Sequence, residues 1–210
     1  MVNFENIKSI LKDIGIYNNN AQLLIVTKKQ TAADIKSLIG KNFNLFGENR
    51  VQEAKQKYLE LRSQFKFDLH LIGHLQTNKV HDALKLFDCI QSLDRKNLVD
   101  EIIKHLHKAN ILTNKFYIEI NLGDEKQKSG IHESDLKNFY EYCLVKGLKI
   151  EGLMCIPPNG EPPSFYFDRL RRLRDNLNTE LKLSMGMSND YIDALKNNSD
   201  LIRVGSMIFR

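Results

Sequence analysis

Eight short apolar, β-leaning runs recur along this chain, and the segments between them carry helical spacing rather than tight hairpin turns. The runs are Gln22–Lys28, Asn44–Asn49, Asp68–His74, Cys89–Asp94, Lys115–Leu122, Lys149–Ile156, Lys182–Ser188 and Leu201–Phe209. Between them, Ala32, Ile35, Leu38 and Ile39 share one helical face, as do Leu98, Ile102 and Leu106. Phe139, Tyr142, Cys143 and Lys146 make a third face, and Phe167, Leu170, Leu173 and Leu177 a fourth. Strands joined through helices run parallel, because a parallel neighbour is reached only by a crossover. Eight such units in 210 residues match a closed α/β (β/α)8 TIM barrel, near the ~200-residue lower limit of that fold. An open doubly wound sheet fits less well, since no GxGxxG follows any run. The expectation is one barrel domain over residues 1–210.

The eighth run ends at Phe209 with Arg210 after it, so no eighth crossover helix follows. Phe4, Ile7, Ile10, Leu11 and Ile14 predict a helix over Phe4–Ile16, placed to cover the gap beside the eighth strand. Thr31 with Asp34 has N-cap spacing, and Asp94 is expected to start the helix over Arg95–Lys108. Gly40 and Gly147 sit where helices should end.

Composition closes off several function classes. A hydrophobic fraction of 42% with 27% charged residues is globular, and no apolar run reaches the ~18 residues of a membrane span. The start, MVNFENIKSILKDIG, has no uncharged core with a cleavage site. Cys89, Cys143 and Cys155 are far apart and make no metal-ligand spacing, which suits a reduced, cytoplasmic chain. The net charge of +5 comes from 31 bases interleaved with 26 acids. With no basic cluster carrying aromatics, the expected partners exclude nucleic acid and membrane and favour small phosphorylated molecules.

In such barrels the chemistry sits at the carboxyl ends of the strands. Reading those ends yields Lys28, Asn49, His74, Asp94, Asn121, Met154–Ile156, Ser188, and Arg203 with Gly205 and Ser206. Lys28, at the mouth of a dry barrel, could lose its proton and attack a carbonyl; the plain alternative is a solvated Lys28–Lys29 pair. SMGMSND places the Ser188 hydroxyl and fresh N–H groups where the next helix begins, a setting that binds anions. Gly205 lets backbone approach a ligand closely, after the eighth strand, where barrel phosphate sites are common. A buried Arg203 needs an acceptor, either a carboxylate such as Glu48 or Glu119, or a ligand atom. A lysine, a phosphate cradle and an arginine at one mouth suit a ligand carrying both an aldehyde and a phosphate, of which pyridoxal 5′-phosphate (PLP) is the common one.

IVTK, FGENRVQE, LIGHLQTNK, INLGDEKQKSG, GLMCIPP, SMGMSND and RVGSMIF occur in one order along nearly the whole chain. In these motifs the sequence resembles the pyridoxal phosphate homeostasis proteins, whose barrel is like the N-terminal barrel of alanine racemase, PLP fold type III. The resemblance implies that Lys28 carries PLP as an internal aldimine. It places Ser188 and the backbone of Gly205 and Ser206 around the phosphate, and Arg203 near the pyridine nitrogen. It puts Asn49, His74 and Met154 in the pocket lining. The chain departs from the family in its Pro-rich loop, which lacks an arginine near Ser164, and in ending after Phe209 with Arg210 alone.

The resemblance also implies a non-enzymatic role: holding PLP as a lysine Schiff base in vitamin B6 and amino-acid homeostasis, with apo PLP-dependent enzymes as recipients. An always-charged Arg203 disfavours a protonated ring nitrogen and so restrains carbanion chemistry. The alternative, an amino-acid racemase of the alanine racemase type, needs a second base. In that enzyme the base is a tyrosine from an added β-domain; none of the chain's own tyrosines ends a strand-like run. A barrel completed by its own N-terminal helix is expected to be a monomer.

Overall fold

The computed structural model describes residues 1–209; the expectation for Arg210 lies outside them. The helix α1 (Phe4–Tyr17) precedes the repeating units. These are β1 (Gln22–Val26), α2 (Ala32–Ile39), β2 (Leu45–Glu48), α3 (Val51–Gln64), β3 (Asp68–Leu71), α4 (Val80–Leu86), β4 (Cys89–Leu93) and α5 (Lys96–Leu106). They continue through β5 (Lys115–Ile120), α6 (Leu136–Val145), β6 (Ile150–Cys155), α7 (Pro163–Leu177), β7 (Lys182–Ser184), α8 (Tyr191–Lys196) and β8 (Leu201–Val204). The strands form a closed barrel in sequence order, each parallel to the next, with β8 returning to β1. The (β/α)8 architecture expected from the alternation is therefore the one observed.

Every strand stops short of its apolar run, most of all β7 and β8. A β pattern persists only while a neighbour accepts its hydrogen bonds, and at the rim the chain turns away. Lys28, Asn49, His74, Asp94, Asn121 and Ser188 accordingly stand in the loops just beyond the strands, while Arg203 remains on β8.

The outer layer is one continuous apolar core between strands and helices, with Ile35, Leu38, Phe46, Tyr58, Leu98, Phe116 and Phe167 fully buried within it. The barrel lumen is different. Leu24, Val26 and Leu201 pack on one side, and Cys89, Tyr117 and Met154 on the other. Between them runs a polar chain. Arg203 Nη1 donates to Ser184 Oγ at 2.8 Å, Ser184 Oγ donates to Gln91 Oε1 at 2.6 Å, and Gln91 Nε2 lies 2.7 Å from His70 Nδ1. Burial pushes the His70 imidazole down to about 3, so it is neutral and completes the chain without adding charge. Gly152 leaves room for this packing: a Cβ there would stand 2.2 Å from the Lys182 carbonyl.

Helix α1 closes the ring beside α8. The Asn3 N–H donates to Ile208 O at 2.7 Å, Asn6 Nδ2 to Met207 O at 2.6 Å, and Tyr191 OH to Asp13 Oδ2 at 2.7 Å. Its apolar stripe, Ile7, Ile10 and Ile14, is buried, as the helical spacing predicts.

Thr31 and Asp34 form a full capping box on α2, and Gly147 takes the left-handed conformation at the end of α6. Gly40 is the C-cap of α2, as expected, in right-handed backbone, and the left-handed turn that follows is made by Asn42. One cap expectation is corrected. Asp94 does not cap α5: the N-cap is Arg95, in extended backbone with no side-chain cap bond. The Asp94 carboxylate instead takes Arg95 Nη1 at 2.5 Å.

Candidate functional site

A cavity of about 520 Å³ opens at the carboxyl ends of the strands. Its floor includes Val26, Ile72 and Arg203; Lys28, Asn49, Ser188, Gly205 and Ser206 stand around it. The Pro-rich segment between β6 and α7, from Ile156 to Pro163, forms one wall. Six of the eight residues picked from the sequence are thus brought together from β1, β2, β7 and β8.

Lys28 sits in the turn after β1. Its ammonium has no hydrogen-bond or ion-pair partner among the described residues, and it is exposed, so the dry setting expected of it is corrected to a solvent-open cavity edge. The turn itself is anchored from below. Lys57 Nζ donates to the Thr27 carbonyl at 2.9 Å and pairs with Glu48 at 2.5 Å and Glu53 at 2.9 Å. The Thr27 hydroxyl donates to Glu48 Oε1 at 2.7 Å and lies 2.6 Å from Tyr58 OH. The Lys29 N–H donates to Glu53, holding Lys29 at φ 63°, which turns Lys28 and not Lys29 toward the cavity.

Opposite, two turns present unclaimed N–H groups. Those of Ser188 and Asn189, and those of Gly205 and Ser206, donate to nothing among the described residues. Ser188 is not the N-cap of α8. Asp190 holds that place, and its Oδ1 accepts the Met187 N–H at 2.5 Å. The Ser188 turn is therefore fixed by Asp190 and leaves its own donors facing outward. A Cβ on Gly205 would lie 2.8 Å from the Val26 carbonyl, so this close approach requires glycine. Grouped backbone N–H groups of this kind hold anions.

Arg203 is buried and needs acceptors, but neither candidate carboxylate supplies them. It donates to Ser184 Oγ and, at 2.9 Å, to the Cys155 carbonyl. Glu48 is taken by Lys57 and Thr27 instead. A guanidinium has five N–H donors, so others remain for a ligand.

Two selections are displaced. Met154 is fully buried beneath the cavity among Cys89 and Tyr117, and does not line it. His74 faces neighbouring clefts; its Nδ1 lies 3.1 Å from Ser129 Oγ and 3.4 Å from Asp94.

Sequence reading missed Glu119 as a site residue in its own right. It is 8% exposed, on β5, pointing into a side cavity of about 230 Å³, with no side-chain partner among the described residues. Burial, with Asp94 adding to it and Arg203 opposing, pushes its carboxyl up to about 7. The unfolded carboxyl is near its ordinary 4.5. The native state therefore binds the proton more tightly. The contribution of Glu119 to stability is full below pH ~4.5 and is lost as pH rises to ~7 and beyond. Glu119→Gln should abolish this loss, making the variant more stable at pH 8 by on the order of 2–3 kcal/mol and unchanged at pH 4. Denaturant midpoints at the two pH values check this.

A parallel barrel with a free amine, a cluster of backbone donors and a buried arginine at one mouth is a small-molecule-binding barrel suited to an anionic ligand. Comparison with known proteins narrows that class. No family model matches the chain. It is 39% identical to a pyridoxal phosphate homeostasis protein of Aquifex aeolicus, over 98% of this chain and 93% of that one. The structure of PipY of Synechococcus elongatus with PLP bound superposes with a TM-score of 0.82, at 30% identity over 98% of this chain and 99% of that one. An alanine racemase of Clostridium difficile shares the fold alone, at 13% identity and a TM-score of 0.74, over 98% of this chain and 56% of that one. This chain belongs to the pyridoxal phosphate homeostasis protein family.

Proposed function

We propose that this protein binds PLP at the barrel mouth and holds it in reserve for PLP-dependent enzymes without turning over a substrate. The observation that carries this reading is the unpaired Lys28 amine facing four unclaimed backbone N–H groups across one cavity. These residues fit the group: an aldehyde needs a free amine, and a phosphate needs donors without a competing acceptor. When bound, PLP supplies an electrophilic aldehyde and, in enzymes, an electron sink.

Lys28 would hold the aldehyde carbon covalently. Ser188, Gly205 and Ser206 would hold the phosphate, and Arg203 would face the ring. Arg203 stays charged and is pinned by Ser184 and Cys155, so it keeps its protons and gives none to a ring nitrogen. Asn49 stands between this cavity and its neighbours. No tyrosine is among the described residues that line the cavity, so the phenol that a two-base racemase of this barrel type employs has no counterpart there. The expected unit is a monomer in the cytoplasm.

With PLP loaded, the protein should neither racemise alanine or serine nor exchange their α-protons with deuterium at enzyme-like rates, as followed by NMR. Racemisation that disappears with Lys28→Ala would identify it as an enzyme instead.

A further inference from the structure

We infer that the cavity under Glu119 is a second ligand site, a subsite for a primary ammonium group lying beside the Lys28 pocket. The side cavity shares Asn49, Ile72 and Ile156 with the main one, so the two are neighbours across a thin wall. Glu119 is more than nine-tenths buried, lines this space, and has no side-chain partner among the described residues. Its carboxyl opens onto the cavity rather than being sealed from it, so a donor can reach it from there, and a low-dielectric setting favours a cationic one.

The nearest cation, Arg203, opposes the proton affinity of Glu119 but makes no hydrogen bond to it, its own bonds going to Ser184 and Cys155, and Lys128 is tied to Glu125 and, at 3.1 Å, to the Pro157 carbonyl. His74 is engaged by Ser129 and Asp94, and Asp94 is itself an anion held by Arg95. A hydrogen-bonded cationic partner for Glu119 is therefore left to a ligand. A metal ion fits poorly, because among the described residues no group of three His, Cys, Asp or Glu side chains could ligate one. An ammonium group carries several N–H donors, and the Asn49 amide, which makes no side-chain bond among the described residues, can accept one of them alongside Glu119. The shared chemistry is a primary ammonium, from either a free amino compound or a lysine side chain.

The groups that face Glu119 set the pH response. Asp94 raises its proton affinity and Arg203 lowers it, with His74 and Lys128 lining the same region. Ammonium binding should therefore strengthen from pH 6 to pH 8 as Glu119 ionises, because a primary ammonium stays charged across that range.

The test uses the full chain without PLP, so it does not depend on the carrier reading. Saturation-transfer NMR with ethylammonium should show binding in about the millimolar range, with ethanol giving no transfer. Glu119→Gln should weaken ethylammonium binding by at least ~10-fold, and Glu119→Asp by less. A cooperative denaturant transition of Glu119→Gln shows that the variant is folded. Equal transfer to ethylammonium in parent and Glu119→Gln, or none in the parent, overturns the subsite. Alaninamide and a blocked lysine peptide separate the two sources: binding of alaninamide alone assigns a free amine, and binding of both assigns a lysine side chain as well. A PLP absorbance titration run in parallel keeps the readings distinct. No ammonium binding with a normal PLP band removes only the subsite, and Glu119-dependent binding without a PLP band removes only the carrier.

Discussion

Lys28→Ala should eliminate covalent PLP from this protein entirely. Incubated with PLP, the parent should turn yellow. Borohydride should bleach the band, and peptide mapping should find the reduced adduct at Lys28. The variant should show neither band nor adduct, because no other amine among the described residues lines the cavity. It should keep a weaker, non-covalent affinity for PLP, since the donors of Ser188, Gly205 and Ser206 are untouched. Stability should change by no more than ~0.5 kcal/mol, as an exposed, unpaired side chain contributes little to the fold. Lys29 provides the control. Its φ of 63° turns it away from the cavity, so Lys29→Asn, which tolerates that backbone, should load PLP like the parent. An adduct on Lys29 in the parent would sink the assignment.

The second large effect should come from beneath the lysine. Lys57→Met removes the cation that pairs with Glu48, which is wholly buried. It also strips the Thr27 carbonyl of its donor and Glu53 of its partner. Breaking one side of a buried pair costs ~3–5 kcal/mol, which in a chain of this size lowers Tm by roughly 10 °C. Removing both charges, Glu48→Gln with Lys57→Met, should recover part of the loss, since a buried pair is often matched by neutral packing. Calorimetry of the parent and the two variants decides this. The Lys28 turn is hung on the same network, so the single variant should also load PLP more slowly than Lys29→Asn. A single variant as stable as the parent would show that Lys57 contributes nothing to the anchor.

Much of the fold was legible in the sequence because a parallel strand buried on both faces must read as a continuous apolar run, and its crossover must be amphipathic. The faces of α2, α5 and α7 were clear for that reason. Helices α3, α4 and α8 were not singled out. In α3 the buried set includes Lys57, whose aliphatic stem is buried while its ammonium serves Glu48, and α8 is only six residues long.

Of the site, Lys28, Ser188, Arg203, Gly205 and Ser206 could be found because strand ends are predictable and barrel chemistry lies there. Met154 was misplaced because strand alternation says which face a side chain takes, not how deep in the lumen it sits. His74 was drawn off by Asp94 and Ser129, which are distant in sequence.

By itself, then, the sequence determined the parallel barrel, its covering N-terminal helix and the rim positions where function could lie, since these follow from local periodicity and from the sterics of glycine and of caps. Only the tertiary structure decided the partners. Arg203 goes to Ser184 and Cys155 rather than to a carboxylate, and Glu48 goes to Lys57, which leaves Glu119 alone in its cavity. Which buried charge is satisfied and which is left open depends on distances across the closed barrel, and a linear pattern does not contain them.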